Sequence, residues 1–191
     1  MSFQHQEILV GNIISDFVKG KRKFDYPTDI QKGIMLHRAI DGFTDTHEAT
    51  KEAKEIFRPH YRLYSGAFVD VAYDHFLAAD ENEFPGNSLW DFTQKVYADI
   101  SEQQHWLPER FARMFPHMKK ENWLYNYRSL PGISKSFGGL VYRAAYLSES
   151  DTAIKLFQEH YQLLLKCYRH FWLDVKPFAQ QHFNIQLTRS L

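Results

Sequence analysis

Cysteine is almost missing from this chain: Cys167 is the only one in 191 residues. That excludes an intramolecular disulfide and any multi-cysteine metal site. Within the apolar run Leu163-Leu164-Leu165-Lys166-Cys167-Tyr168 it reads as a buried structural thiol. Long hydrophobic stretches are missing too, since no run approaches the roughly 20 residues of a membrane span. The start, Met1-Ser2-Phe3-Gln4-His5, lacks the basic and apolar regions of a signal peptide. The expected setting is therefore cytoplasmic, with no membrane partner. Net charge of either sign is absent, with Lys plus Arg 23 against Asp plus Glu 23. No global field argues for nucleic acid or an anionic membrane. Strand-like alternation, internal repeats and low-complexity linkers are likewise lacking.

What is present is aromatic and helical. Hydrophobic residues make up 44% of the chain, and 16 Phe and 11 Tyr suit thick helix–helix packing. The length fits one domain with a sizeable core. Apolar positions recur at three- and four-residue intervals, as Phe68, Val71, Ala72, Phe76 and Ala79 do. The periodicity predicts helices over 8–18, ended by Gly20, and from Thr28 or Asp29 to about 45. Others are predicted over 47–57, stopped near Pro59, over 65–79, and from 87 or 88 through 100. Shorter ones cover 108–114 and 121–128, the latter closed by Pro131-Gly132, before 134–147 and 151–174. The expected architecture is all-α, an irregular single-domain helical bundle over 1–191. In its last helix Tyr161, Tyr168, Phe171 and Trp172 are read as core rather than as a dimer face; spacing leaves the oligomeric state open.

Three segments place charge inside apolar helix. In Gly-Asn-Ile-Ile-Ser-Asp-Phe-Val-Lys-Gly (11–20), Asn12 and Asp16 are four apart and share a helix face. Gly11 and Ser15 are small enough for a backbone or a ligand to come close. Asp16 has a blander alternative, capping a turn or pairing with Arg38. In the second segment His37, Asp41 and Asp45 recur every fourth residue, with Arg38 within reach of either carboxylate. A solvated salt-bridge ladder is the alternative there, although Ile34, Met35, Leu36, Ile40 and Phe43 argue for burial. The third segment repeats a carboxylate pair, Asp70 and Asp74, with His75 next. Neighbouring helix residues point about a hundred degrees apart, so Asp74 and His75 serve one centre only if one of them orients the other's group. A core His75 bonded to backbone is the alternative.

Together these residues form a nitrogen and oxygen donor set that suits Mn, Mg, Fe or Zn, with phosphoester hydrolysis as the natural chemistry. Beside the first segment, Lys19, Lys21, Arg22 and Lys23 put four cations in five positions. They are either a solvated loop or a landing patch for an acidic surface. An enzyme acting on a nucleotide or another small phosphoester would need the same site. A non-catalytic helical module binding an acidic partner would not.

The three segments, Gly-Asn-Ile-Ile-Ser-Asp-Phe-Val-Lys-Gly, Gly-Ile-Met-Leu-His-Arg-Ala-Ile-Asp-Gly-Phe-Thr-Asp and Asp-Val-Ala-Tyr-Asp-His-Phe-Leu, resemble the acyl carrier protein phosphodiesterase family. The likeness extends more loosely to 118–124 and 138–143. It implies removal of 4′-phosphopantetheine from holo acyl carrier protein to give the apo protein. It also implies dependence on a divalent metal, typically manganese, and a distant kinship with His-Asp metal phosphohydrolases. Carried onto this chain, it implies His37, Asp41 and Asp74 as metal ligands, with Asp16, Arg38 and His75 as catalytic groups. Arg38 would stabilise phosphoryl charge unless Asp45 holds it. Acyl carrier proteins are strongly acidic, which gives Lys19, Lys21, Arg22 and Lys23 a partner. Two departures stand out. The family's Asn-Phe-Leu-Ala-His-like opening segment has no counterpart in Met1-Ser2-Phe3-Gln4, so the resemblance implies a missing N-terminal segment. No His-Asp dipeptide occurs; the order at 74–75 is Asp-His.

Overall fold

The computed structural model describes residues 5–188, with side chains to 185. Positions 1–4, where the family's opening segment would fall, lie outside the described residues. The all-α expectation holds. The described chain forms ten α-helices and four short 3-10 turns, and no strand occurs among the described residues. No helix there is long and apolar enough to cross a membrane.

The helices are α1 (Gln6–Ile14), α2 (Thr28–Thr46), α3 (Glu48–Tyr61), α4 (Ser65–Ala78) and α5 (Ser88–Glu102). They continue as α6 (Glu109–Lys120), α7 (Trp123–Asn126), α8 (Leu130–Arg143), α9 (Asp151–Glu159) and α10 (Tyr161–Thr188). Several boundaries correct the sequence reading, most of them at prolines. Helix α3 runs past Pro59 to Tyr61, and α6 runs past Pro116 to Lys120. Both prolines are exposed, so each removes one intrahelical bond whose carbonyl can turn to solvent. Pro131 does not close a helix but opens α8, in the first turn, where the missing N–H has no partner to lose. Ser129 caps that turn by accepting from the Gly132 amide at 3.2 Å. The segment 151–174 divides at His160, and α10 then continues beyond Asp174 through the exposed Pro177.

The chain groups into two compact units. The first holds the described residues of Met1–Phe43, Asp91–Glu121 and Asp174–Leu191. Its core includes Ile8, Leu36 and Phe183, with Ile40 packed against them. Phe17 meets Phe111 edge-on at 5.3 Å between ring centroids, and Phe43 stacks on Phe178 at 4.4 Å.

The second unit holds Thr44–Trp90 and Asn122–Leu173. Here the abundant phenylalanines do the packing. Phe57 stacks on Phe68 at 5.7 Å, Phe68 meets Phe137 at 5.2 Å, and Phe76 meets Phe157 at 5.8 Å. Fully burying a side chain of this size stabilises by roughly 1.5–3 kcal/mol, so this cluster contributes substantially to the unit's stability. Tyr168 and Phe171 are buried as expected of core, and so is Cys167, whose thiol is pushed up to about 11, chiefly by burial.

Candidate functional site

The first site begins with two glycines. Where α1 crosses α2, a Cβ on Gly11 would fall 2.0 Å from the Ile30 carbonyl oxygen. One on Gly33 would fall 2.2 Å from the Ile8 oxygen and 2.8 Å from the Asn12 nitrogen. Only hydrogen fits at either position, so the backbones touch. The small Ser15 continues the contact, its buried hydroxyl donating to the Ile34 carbonyl at 3.4 Å. After Ile14 the chain tightens into a 3-10 turn, Ser15–Phe17. The Val18 amide closes it on the Ser15 carbonyl at 3.0 Å, and Arg38 Nη2 pins it by donating to the Val18 carbonyl at 2.6 Å.

This crossing sets Asn12 and Asp16 around His37. His37 Nε2 lies 3.3 Å from Asp16 Oδ1 and 3.2 Å from Asp41 Oδ2, while Nδ1 lies 3.4 Å from Asn12 Oδ1. Asp16, His37 and Asp41 each offer a ligand atom within 4.8 Å of the other two. The cluster is less buried than the flanking apolar residues imply: His37 is 24% exposed, Asp41 54% and Asp16 76%. It opens to solvent.

Desolvation disfavours a charged His37, but hydrogen bonds and charge from Asp16 and Asp41 outweigh it and raise its pKa to about 9. The hydrogen bond to His37 in turn lowers Asp16, against desolvation. With His37 protonated, Nε2–H donates to the two carboxylates and Nδ1–H to Asn12. Such a group is a cation held between anions, a place that a metal ion would suit equally well. The N/O donor chemistry fits Mn, Mg, Fe or Zn.

Asp45 does not take Arg38; it pairs with Lys54 at 2.8 Å. Asp74 and His75 belong to the second unit, on α4. Asp74 is open to solvent yet crowded by protein, and desolvation followed by the neighbouring Asp70 pushes it up to about 7, against a hydrogen bond with the Tyr127 side chain. His75 is buried, the core placement weighed in the sequence reading. Its Nδ1 lies 2.8 Å from the Tyr127 carbonyl and its Nε2 3.4 Å from the Tyr161 hydroxyl, and burial lowers its pKa. It is neutral and donates from Nδ1. Sequence reasoning missed Tyr127, which touches both Asp74 and His75; no spacing rule connects residues so far apart in the chain.

Lys19, Lys21 and Arg22 are exposed and Lys23 is half-buried, on a turn that Gly20 enters at φ +56°. Lys23 Nζ sits 5.0 Å above the ring of Phe24, itself 62% exposed.

Comparison with known proteins supplies the rest. Residues 1–175 match the model of a family described as acyl carrier protein phosphodiesterase. A Yersinia pestis protein of that name is 34% identical over 173 residues, 90% of each chain. One from Enterobacter sp. (strain 638) is 32% identical over 180 residues, 94% of this chain and 92% of its own. One from Photorhabdus laumondii is 30% identical over 154 residues, 80% and 78% of the two chains. No solved structure matches. Three motifs in order and a match through segments of both units lead to one statement: the chain belongs to the acyl carrier protein phosphodiesterase family.

Proposed function

We propose that this protein is a metal-dependent phosphodiesterase that hydrolyses holo acyl carrier protein to the apo protein and 4′-phosphopantetheine. The names of its relatives support the substrate. The observation that carries the metal is His37 held between Asp16 and Asp41 at 3.3 and 3.2 Å. In the reaction, water oxygen joins phosphorus, the bond from phosphorus to the serine oxygen breaks, and the serine oxygen receives a proton.

His37, Asp41 and Asp16 would hold the ion, manganese being the first choice. When bound, it would supply Lewis acidity toward a phosphoryl oxygen and acidify water. Asn12 orients the imidazole through Nδ1, as outer partners of ligating histidines do. Asp74, the ligand that the third motif implies, lies in the second unit, where it and the neighbouring Asp70 would offer a separate pair of carboxylates to a divalent cation. Arg38 keeps the turn bearing Asp16 in place and retains N–H donors for phosphoryl charge. His75 is a positioning residue, since both ring nitrogens are engaged within the fold. Lys19, Lys21, Arg22 and Lys23 would attract the acidic carrier.

The test is to incubate the chain with holo acyl carrier protein and manganese and follow the carrier by intact-protein mass spectrometry. Metal-dependent loss of the phosphopantetheine mass is expected. No loss, alongside an active relative as control, would redirect the reading to a small phosphoester or to a binding role.

A further inference from the structure

The second unit carries a groove of about 540 Å³ whose lining includes Asp45, Lys54, Arg58, Arg62, Leu63 and Asp70. The two metal-site proposals above leave its cations unused. Lys54 is committed to Asp45 at 2.8 Å. Arg58 meets Glu55 at 2.7 Å, but both side chains are more than half exposed, so the pair is readily exchanged. Arg62 has no hydrogen-bond or ion-pair partner for its side chain among the described residues.

Two further features mark this part of the lining. Arg62 sits at φ 48°, a conformation that costs a non-glycine residue energy and clusters at binding sites. Leu63, next to it, is 99% exposed. A fully exposed leucine beside an uncommitted arginine on a strained turn gives nothing to the unit's own core. It does match the surface of a partner that is anionic with an apolar spot.

We propose that Arg58, Arg62 and Leu63 form a docking surface for the acidic face of acyl carrier protein, resting on the carrier-protein reading of function. The arginines meet carboxylates and Leu63 fills the apolar spot. Charge complementarity decides the occupant: with Asp45 taken by Lys54, the lining's remaining charges are Arg58 and Arg62 against Asp70, so cations predominate.

The test uses Arg58→Glu, Arg62→Gly and Leu63→Asp, with Arg113→Glu as an exposed cation elsewhere. Two quantities are read: KM for holo carrier protein, and Kd for apo carrier protein by fluorescence anisotropy. Both are expected to rise about tenfold or more in the combined variant, steeply dependent on salt, with kcat holding. Arg62→Gly is the discriminating single change. Glycine relieves the strained φ, so its melting temperature should hold or rise while binding weakens, a split that a merely structural role would not give. Unchanged KM and Kd in a wild-type-active background would overturn the docking surface, as would an equal effect of Arg113→Glu. A wild-type chain that binds apo carrier through Arg62 but hydrolyses no holo carrier would sink the functional reading and leave the docking surface standing.

Discussion

Gly11 and Gly33 meet where α1 crosses α2, a Cβ on Gly33 falling 2.9 Å from the Gly11 Cα. The contact brings Asn12 and Asp16 onto His37, so it is as much a part of the site as the ligands. Gly33→Ala must push backbone away from backbone, which no side-chain rearrangement absorbs. Overpacking of this kind costs about 1–3 kcal/mol, and urea denaturation should report a loss of that size. Gly42, one residue past Asp41 on the same helix, is the opposite case, since a Cβ there meets nothing within 4 Å. Gly42→Ala should stabilise by roughly 0.5–1 kcal/mol through helix propensity.

The raised pKa of His37 has a signed consequence for stability. A folded value of about 9 lies above the ordinary histidine value of 6.5, so the protonated form is favoured by folding. The contribution is fully present below about pH 6.5 and is lost as pH rises through about 9. In metal-free protein, the stability gap between wild type and His37→Gln should therefore narrow across that window. A gap that stays constant would show that the two carboxylates do not hold the proton. Metal must displace this proton, so manganese binding near neutral pH should release about one proton, read by calorimetry in buffers of different ionisation enthalpy.

Much of this was legible in the chain because helical spacing is local. His37 and Asp41, four residues apart, had to share a face, and Gly11 beside Asn12 already signalled a close approach. The prolines misled because a sequence shows that a hydrogen bond is lost but not whether the orphaned carbonyl faces water. Pro59 and Pro116 are exposed, and the helices pass through them. Arg38 could not be assigned between Asp41 and Asp45, since its partner is the Val18 carbonyl in another element. Tyr127 was invisible for the same reason. Its contacts to Asp74 and His75 depend on how α4 packs against distant chain, which periodicity does not encode.

His75 supplies a prediction of opposite sign to His37. Burial lowers its pKa below the ordinary histidine value of 6.5, so folding favours the neutral ring. Its contribution is present above about pH 6.5 and declines as pH falls below that, because the unfolded chain takes up the proton first. The urea midpoint of wild type should fall between about pH 7 and pH 5, and His75→Gln should flatten that slope. Equal slopes would remove His75 as the titrating group.

His37→Ala tests the proposed centre most directly, provided that it is read with Asn12→Ala. Removing His37 deletes the nitrogen donor and leaves Asp16 and Asp41 facing each other across the gap. Metal-dependent hydrolysis should then be abolished, with helix content by circular dichroism unchanged because the side chain is not core. Asn12 touches only Nδ1, at 3.4 Å, so Asn12→Ala leaves all three ligand atoms in place. Changes to such outer partners typically cost 10–100-fold in metal affinity or activity, and raising the manganese concentration should recover part of the rate. Asp41→Ala should behave like His37→Ala, since it removes a carboxylate 3.2 Å from Nε2. Full activity in both His37→Ala and Asp41→Ala would move the chemistry away from this cluster altogether. Rescue of His37→Ala by manganese as complete as that of Asn12→Ala would instead reduce His37 from ligand to orienting group.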